Sequence, residues 1–195
     1  MAIGVATFGL AAPEIAHGGE TMGADDMVLG DADAPVTILE YSSLTCPHCA
    51  KFHSETLPRI KERYIDTGKA RLVYRDFPFD QAGVLAAAVA HCAGEKRYFG
   101  FLEVLFRTQK SWAGSDNPLE ALVRVSRLGG LKREAIEACI ADQELLDRIL
   151  ASRLNGAREF NVNSTPTFII NGEKVVGAQP FERFEEILEG LLSRS

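Results

Sequence analysis

The sequence has no unbroken apolar run near the roughly 20 residues that a membrane-spanning helix requires. It also has no excess of positive charge: 21 Lys and Arg stand against 27 Asp and Glu, a formal net charge of −6. A nucleic-acid binder needs a basic face to neutralise phosphates, so this balance excludes that class of partner from the expected functions. Cysteine is scarce: Cys46, Cys49, Cys92 and Cys139 include no second close pair, which argues against a four-ligand structural zinc site. Lys and Arg are absent altogether before Lys51. Met1 to Ala12 is nonetheless apolar and about as long as a signal-peptide core, with small residues at Ala16-His17-Gly18 for cleavage. Residues 1–26 are therefore read as a signal-like, flexible leader whose basic beginning is missing.

What is present suits one domain carrying a substantial insertion, long enough to bury a core. Val36 to Tyr41 is β-branched and apolar and predicts a buried strand. A helix is expected from Cys46 to about Thr67, kinked at Pro58, then a second strand over Ala70–Phe77. From Gln81 to Phe160 the pattern turns helical, with the longest apolar stripe at Leu146, Ile149, Leu150, Leu154 and Ala157. Thr167–Ile170 is a strand, Asn171-Gly172 a hairpin turn and Lys174–Val176 its partner. A final amphipathic helix turns Phe181, Phe184, Ile187, Leu188 and Leu191 inward. The order implies an α/β fold: a mixed central sheet with flanking helices, over 27–80 and 161–195, interrupted by an all-helical insertion over 81–160.

The chemistry concentrates at Cys46-Pro47-His48-Cys49, which opens a helix directly after a buried strand. At that helix N-terminus, unpaired N–H groups and the helix dipole favour a Cys46 thiolate, making it a nucleophile and a good leaving group. Cys49, one turn further in, can close a disulfide or resolve a mixed one. His48 can lend the Cys46 sulfur a hydrogen bond or positive charge, and Pro47 sits where its missing N–H costs nothing. Four cysteines allow three pairings and the sequence alone does not choose; the closeness of Cys46 and Cys49 makes one choice natural and leaves Cys92 for Cys139. A competing reading has Cys46, Cys49 and His53 hold a soft metal such as Cu(I). Thr165-Pro166-Thr167 places a proline immediately before a strand, where a cis peptide can form. His91 reads as a packing or surface residue of a helix, and Trp112 as core.

Glu40 to Cys49 (EYSSLTCPHC) together with Ser164 to Gly172 (STPTFIING) resembles the DsbA family of periplasmic disulfide oxidoreductases. The resemblance runs from about Met27 to the C-terminus and implies a thioredoxin fold. It implies Cys46 as the attacking cysteine, Cys49 as its resolving partner, Pro166 as a cis-proline facing them and Thr165 as the residue presenting its backbone to a bound substrate cysteine. Glu40 would be the buried acid that helps move the proton of Cys49. Cys92 and Cys139 resemble the extra structural disulfide of some branches, worth about 4 kcal/mol in the loop-entropy picture. One departure stands out: the best-known monomeric oxidases of the family have Val before the proline, and its isomerases have Thr.

The expectation is thus a monomeric periplasmic enzyme that donates the Cys46–Cys49 disulfide to reduced or unfolded secreted proteins. A membrane redox partner would reoxidise it, and thiol exchange needs no bound cofactor. The alternatives are an isomerase or reductase using the same cysteines, or a Cu(I)-handling module on the same fold.

Overall fold

The computed structural model describes residues 26–194; the leader up to residue 25, with its expected cleavage site, lies outside them. Among the described residues β1 (Met27–Leu29), β2 (Val36–Ser42), β3 (Ala70–Asp76), β4 (Thr167–Ile170) and β5 (Glu173–Val176) form one mixed sheet in the order β1-β3-β2-β4-β5. β2 runs parallel to β3 and antiparallel to β4, which makes it the central strand. Every residue of β2 is buried, as a strand covered on both faces requires. The hairpin turns at Asn171 and Gly172, both at positive φ, the conformation this dipeptide adopts most readily. β1 was not foreseen, because three half-buried residues are too few to show any alternation.

Between β2 and β3 the chain winds through α1 (Pro47–Lys51), a π-helical turn at Phe52–Thr56, α2 (Leu57–Ile60) and a second π turn at Lys61–Ile65. The sequence predicts one helix kinked at Pro58. The structure instead widens the turn just before that proline, which accommodates its ring and its missing N–H. The helical block comprises α3 (Gln81–Cys92), α4 (Glu95–Arg107), α5 (Gln109–Trp112), α6 (Pro118–Leu128), α7 (Arg133–Ile140) and α8 (Gln143–Phe160), and α9 (Phe181–Leu192) closes the fold.

Strand alternation divides the core. One sheet face sends Val36, Ile38, Leu72, Phe168 and Ile170 against the helix after Cys46 and against α9. Further along that face, Tyr74 joins Leu44, Cys49, Tyr98, Leu102 and Trp112, so the cysteine helix is wedged between sheet and helical block. The opposite face gathers Leu39, Tyr41, Val73, Phe77 and Ile169 beneath the end of α8. There the predicted stripe of α8 needs correction. Ile149 is buried as expected, but Leu150 and Leu154 are exposed, and the helix buries Leu145 and Gly156 beside it. Gly156 lies so close to Tyr41 that a Cβ there would fall 2.5 Å from its ring. The contact is made by a residue with no hydrophobic signature, so an apolar count centres the stripe to one side of the buried face.

Candidate active site

β2 delivers the chain to its C-terminal end, and Cys46 becomes the N-cap of α1 with an extended backbone (φ −81°, ψ 120°). Pro47 occupies the first turn, where no N–H is needed. Cys46 is half-buried, Cys49 is buried and both are free thiols. The helical block grips this junction from two sides. The Thr45 hydroxyl donates to Asp80 Oδ2 (2.8 Å), while Asp80 Oδ1 caps α3 by accepting from the Gly83 N–H (2.7 Å). Buried Gln109 donates its amide to the carbonyls of Leu44 (2.7 Å) and Cys46 (3.0 Å). Both clamps join residues distant in sequence, and nothing in the sequence reading pointed to them.

The Thr165–Pro166 peptide is cis. It brings the Thr165 carbonyl to 3.3 Å from the Cys46 sulfur, where the thiol donates to it. Pro166 is fixed in turn by the Gly177 N–H, which donates to its carbonyl (2.8 Å). When Cys46 ionises, its sulfur changes from donor to acceptor. The Thr165 hydroxyl, buried without another partner among the described residues, is placed to donate to it.

The two thiols are electrostatically unlike. Cys46 is lowered to about 5, first by the hydrogen bond from the Cys49 thiol, then by the Thr165 hydroxyl and by the N–H groups of Cys49 and His48, against the opposing cost of partial burial. Cys49 is held well above the ordinary thiol range, chiefly by burial and then by its negative neighbours Cys46 and Glu40. Together the pair favours one thiolate at Cys46 and one proton at Cys49. His48 acts here through its backbone; its ring, expected to reach the sulfur, belongs to an exposed residue.

Glu40, fully buried, points from β2 toward this site, and its partner is His53 of the first π turn, with Nε2 2.9 Å from Oε1 and 3.2 Å from Oε2. The His53 ring stacks on Phe106 at 4.2 Å between centroids. His53 is thereby committed to a carboxylate rather than aimed with the cysteines at a metal. Among the described residues no three of His, Cys, Asp and Glu gather in a metal-holding group. A charged residue two places before Ser42 in an otherwise apolar strand was the available signal that a partner had to exist.

Cys92 and Cys139 are joined as a disulfide between α3 and α7, with Cα atoms 6.0 Å apart. Neither opens a helix: Cys92 ends α3, and Cys139 lies in the last turn of α7. Their neighbour His91 does not merely pack. Its Nε2 lies 2.8 Å from Asp76 Oδ2 at the end of β3.

A family model described as Thioredoxin matches residues 23–190. The chain is 34% identical over 149 residues to a Rickettsia bellii protein provisionally named a protein-disulfide oxidoreductase, covering 76% of this chain and 58% of that one. It thus spans a little over half the length of the Rickettsia relatives it matches. It is 28% identical over 172 residues to disulfide bond formation protein D of Bacillus subtilis, covering 83% and 75% of the two chains. Among solved structures it is similar to alpha-DsbA1 of Wolbachia pipientis, with a TM-score of 0.83, 33% identity, and 89% and 94% of the two chains covered. BdbD of Bacillus subtilis shares the fold at a TM-score of 0.77 and 22% identity, over 86% and 93%.

Proposed function

This chain belongs to the thioredoxin family, in its DsbA-like branch, and from that premise we propose that it is a thiol–disulfide oxidoreductase working as a dithiol oxidase in the bacterial periplasm. A thiolate of a reduced, secreted protein attacks the Cys46 sulfur of the Cys46–Cys49 disulfide. The S–S bond breaks, the electron pair goes to Cys49, and a mixed disulfide joins substrate to Cys46. A second substrate thiolate then attacks its partner sulfur in that mixed disulfide, releasing Cys46 as thiolate and the substrate as disulfide. Both electrons remain on the enzyme, to be passed to a membrane redox partner.

The observation that carries the direction is the asymmetry of the two thiols. A Cys46 thiolate held near 5 is a good leaving group, and stabilising the reduced form makes the disulfide oxidising. The hydrogen-bonded cis-proline loop supports the same step, since the Thr165 carbonyl beside Cys46 is an edge on which a substrate backbone can align. Thr165 itself favours the isomerase reading at the level of family resemblance. Its hydroxyl is nonetheless placed to stabilise the Cys46 thiolate, which pulls toward oxidation.

The test is equilibration of the protein with glutathione buffers, following Cys46 and Cys49 separately from Cys92 and Cys139 by alkylation and mass. A potential near the oxidising end of this chemistry, about −120 mV for DsbA itself, is expected; a value near the −270 mV or so of thioredoxin would make the protein a reductase.

A further inference from the structure

The segment that carries Cys46 is held by a side chain of the helical insertion, 63 residues further along the chain. Gln109 opens α5, a helix of four residues that follows the break at Thr108. Two bonds fix α5 against α4. The Thr108 hydroxyl donates to the Val104 carbonyl (2.7 Å), and the fully buried Trp112 donates its indole N–H to the Leu105 carbonyl (3.0 Å). On that support Gln109, only 7% exposed, aims its amide at the motif. A single nitrogen, Nε2, has two hydrogens to give, and it bonds the Leu44 carbonyl (2.7 Å) and the Cys46 carbonyl (3.0 Å). The Cys46 carbonyl also takes the Ala50 N–H (3.2 Å) as α1 begins. Among the described residues the Leu44 carbonyl has no other donor.

We propose that Gln109 is a positioning residue of the exchange site, one that fixes the segment carrying Cys46, offsets the negative ends of its carbonyls and so sets how oxidising the Cys46–Cys49 pair is. The inference rests on the proposed oxidoreductase reading. The hydrogen bonds of Gln109 go to backbone, so it acts through Cys46 rather than on a substrate. A carbonyl oxygen is the negative end of a dipole, and one of these belongs to Cys46 itself and the other to the residue two places before it. In the disulfide the sulfur is neutral and their field matters little. In the reduced protein that field opposes the thiolate, and a buried junction screens it poorly. The two N–H groups of Gln109 set positive ends against both oxygens. Their contribution therefore falls on the reduced form, which makes the disulfide more oxidising. The same bonds hold the Cys46 carbonyl at the start of α1, with the N–H groups of His48 and Cys49 left to the sulfur. The Thr45–Asp80 bond grips the same segment, but Asp80 also caps α3, so its loss would mix positioning with folding. Among the described residues the Gln109 side chain bonds these two carbonyls alone.

The experiment compares the full chain as wild type and as Gln109→Met, which keeps an unbranched side chain of similar length and removes both donors. Two quantities read the site. One is the thiolate absorbance of the reduced protein against pH; the other is the equilibrium constant with glutathione at pH 7, with Cys46 and Cys49 followed by alkylation and mass. Gln109→Met is expected to raise the midpoint of the Cys46 step by about one pH unit. The pair should become less oxidising by about tenfold in the glutathione constant. Val123→Ala, in the insertion's core cluster with Val89, Phe101 and Ile136, separates this from general loosening: it should lower the denaturant midpoint and move neither quantity. Gln109→Asn keeps an amide but loses one methylene of reach. It should shift both quantities in the same direction, and it replaces Gln109→Met if that variant does not fold. A folded Gln109 variant whose titration and glutathione constant match wild type overturns the role and leaves the oxidoreductase reading standing. A shift of the same size in Val123→Ala overturns it too. A wild-type pair that does not exchange with glutathione at any ratio removes the oxidoreductase reading and this role with it.

Discussion

The chain carries two cysteine pairs whose surroundings give them opposite fates. Cys46 and Cys49 sit where a buried strand meets a helix N-terminus, one sulfur half-open to solvent and ringed by donors, the other sealed beneath it. Cys92 and Cys139 sit at the C-terminal ends of α3 and α7, where the helix dipole disfavours a thiolate. The Cys92–Cys139 bond ties two helices that already pack on each other, and it encloses 47 residues of sequence separation. The same bond chemistry thus serves exchange in one place and cross-linking in the other. What separates them is the electrostatic environment of the thiolate, which decides how readily a sulfur attacks and leaves.

The comparison breaks most completely at Cys46. Cys46→Ser should abolish transfer of oxidising equivalents to a reduced model peptide while the Cys92–Cys139 bond stays intact by mass. Retained transfer would mean that the second pair is itself redox-active. The converse variant, Cys92→Ala with Cys139→Ala, should cost up to about 4 kcal/mol in denaturant unfolding, the loop-entropy figure for a loop of this size, and leave the potential of the Cys46–Cys49 pair where it was. A shift in that potential would show the two pairs to be coupled.

The next effect is a dependence on pH that belongs to one pair alone. Cys46 is lowered to about 5 in the folded reduced protein, against about 8.5 for a thiol in an unfolded chain. A depressed acid contributes stability that is full above the unfolded value and is lost as pH falls through the folded one. The reduced protein should therefore lose stability relative to the oxidised form between about pH 8.5 and pH 5, as read by denaturant melts of both forms. Smallest is Thr165→Val, which removes the hydroxyl beside the Cys46 sulfur. It should raise the Cys46 pKa by about one unit, a value discounted for a half-exposed charge, and make the pair less oxidising. An unchanged titration would assign the low value to the Cys49 thiol and the backbone N–H groups alone.

Legibility in the sequence followed contiguity. The strand before the motif, the helix it opens and the hairpin at Asn171-Gly172 could be read because each is written in adjacent residues with their own propensities. The cis-proline loop could be read as a companion to the motif for the same reason. What stayed hidden was tertiary pairing. Asp80 and Gln109 clamp the motif from the helical block, and Asp76 meets His91 across 15 residues; neither composition nor periodicity encodes such meetings. His53 was weighed as a metal ligand because its distance from Cys49 in sequence suits one, yet the fold turns it to Glu40. The stripe of α8 holds at Ile149 but misses Gly156, because a glycine packed beside Tyr41 carries no apolar signal. The backbone N–H of His48 faces the Cys46 sulfur, a contribution that no side-chain pattern encodes.

All of this depends on Cys46 being a thiolate at neutral pH while Cys49 keeps its proton. The most direct measurement is the ultraviolet absorbance of the thiolate in the reduced protein, titrated from acid to alkaline pH and compared with Cys46→Ser. One step centred near pH 5, absent from the variant, is the expected result. A first step only in the ordinary thiol range, about 8.5, would contradict the asymmetry and with it the oxidising direction assigned to the pair.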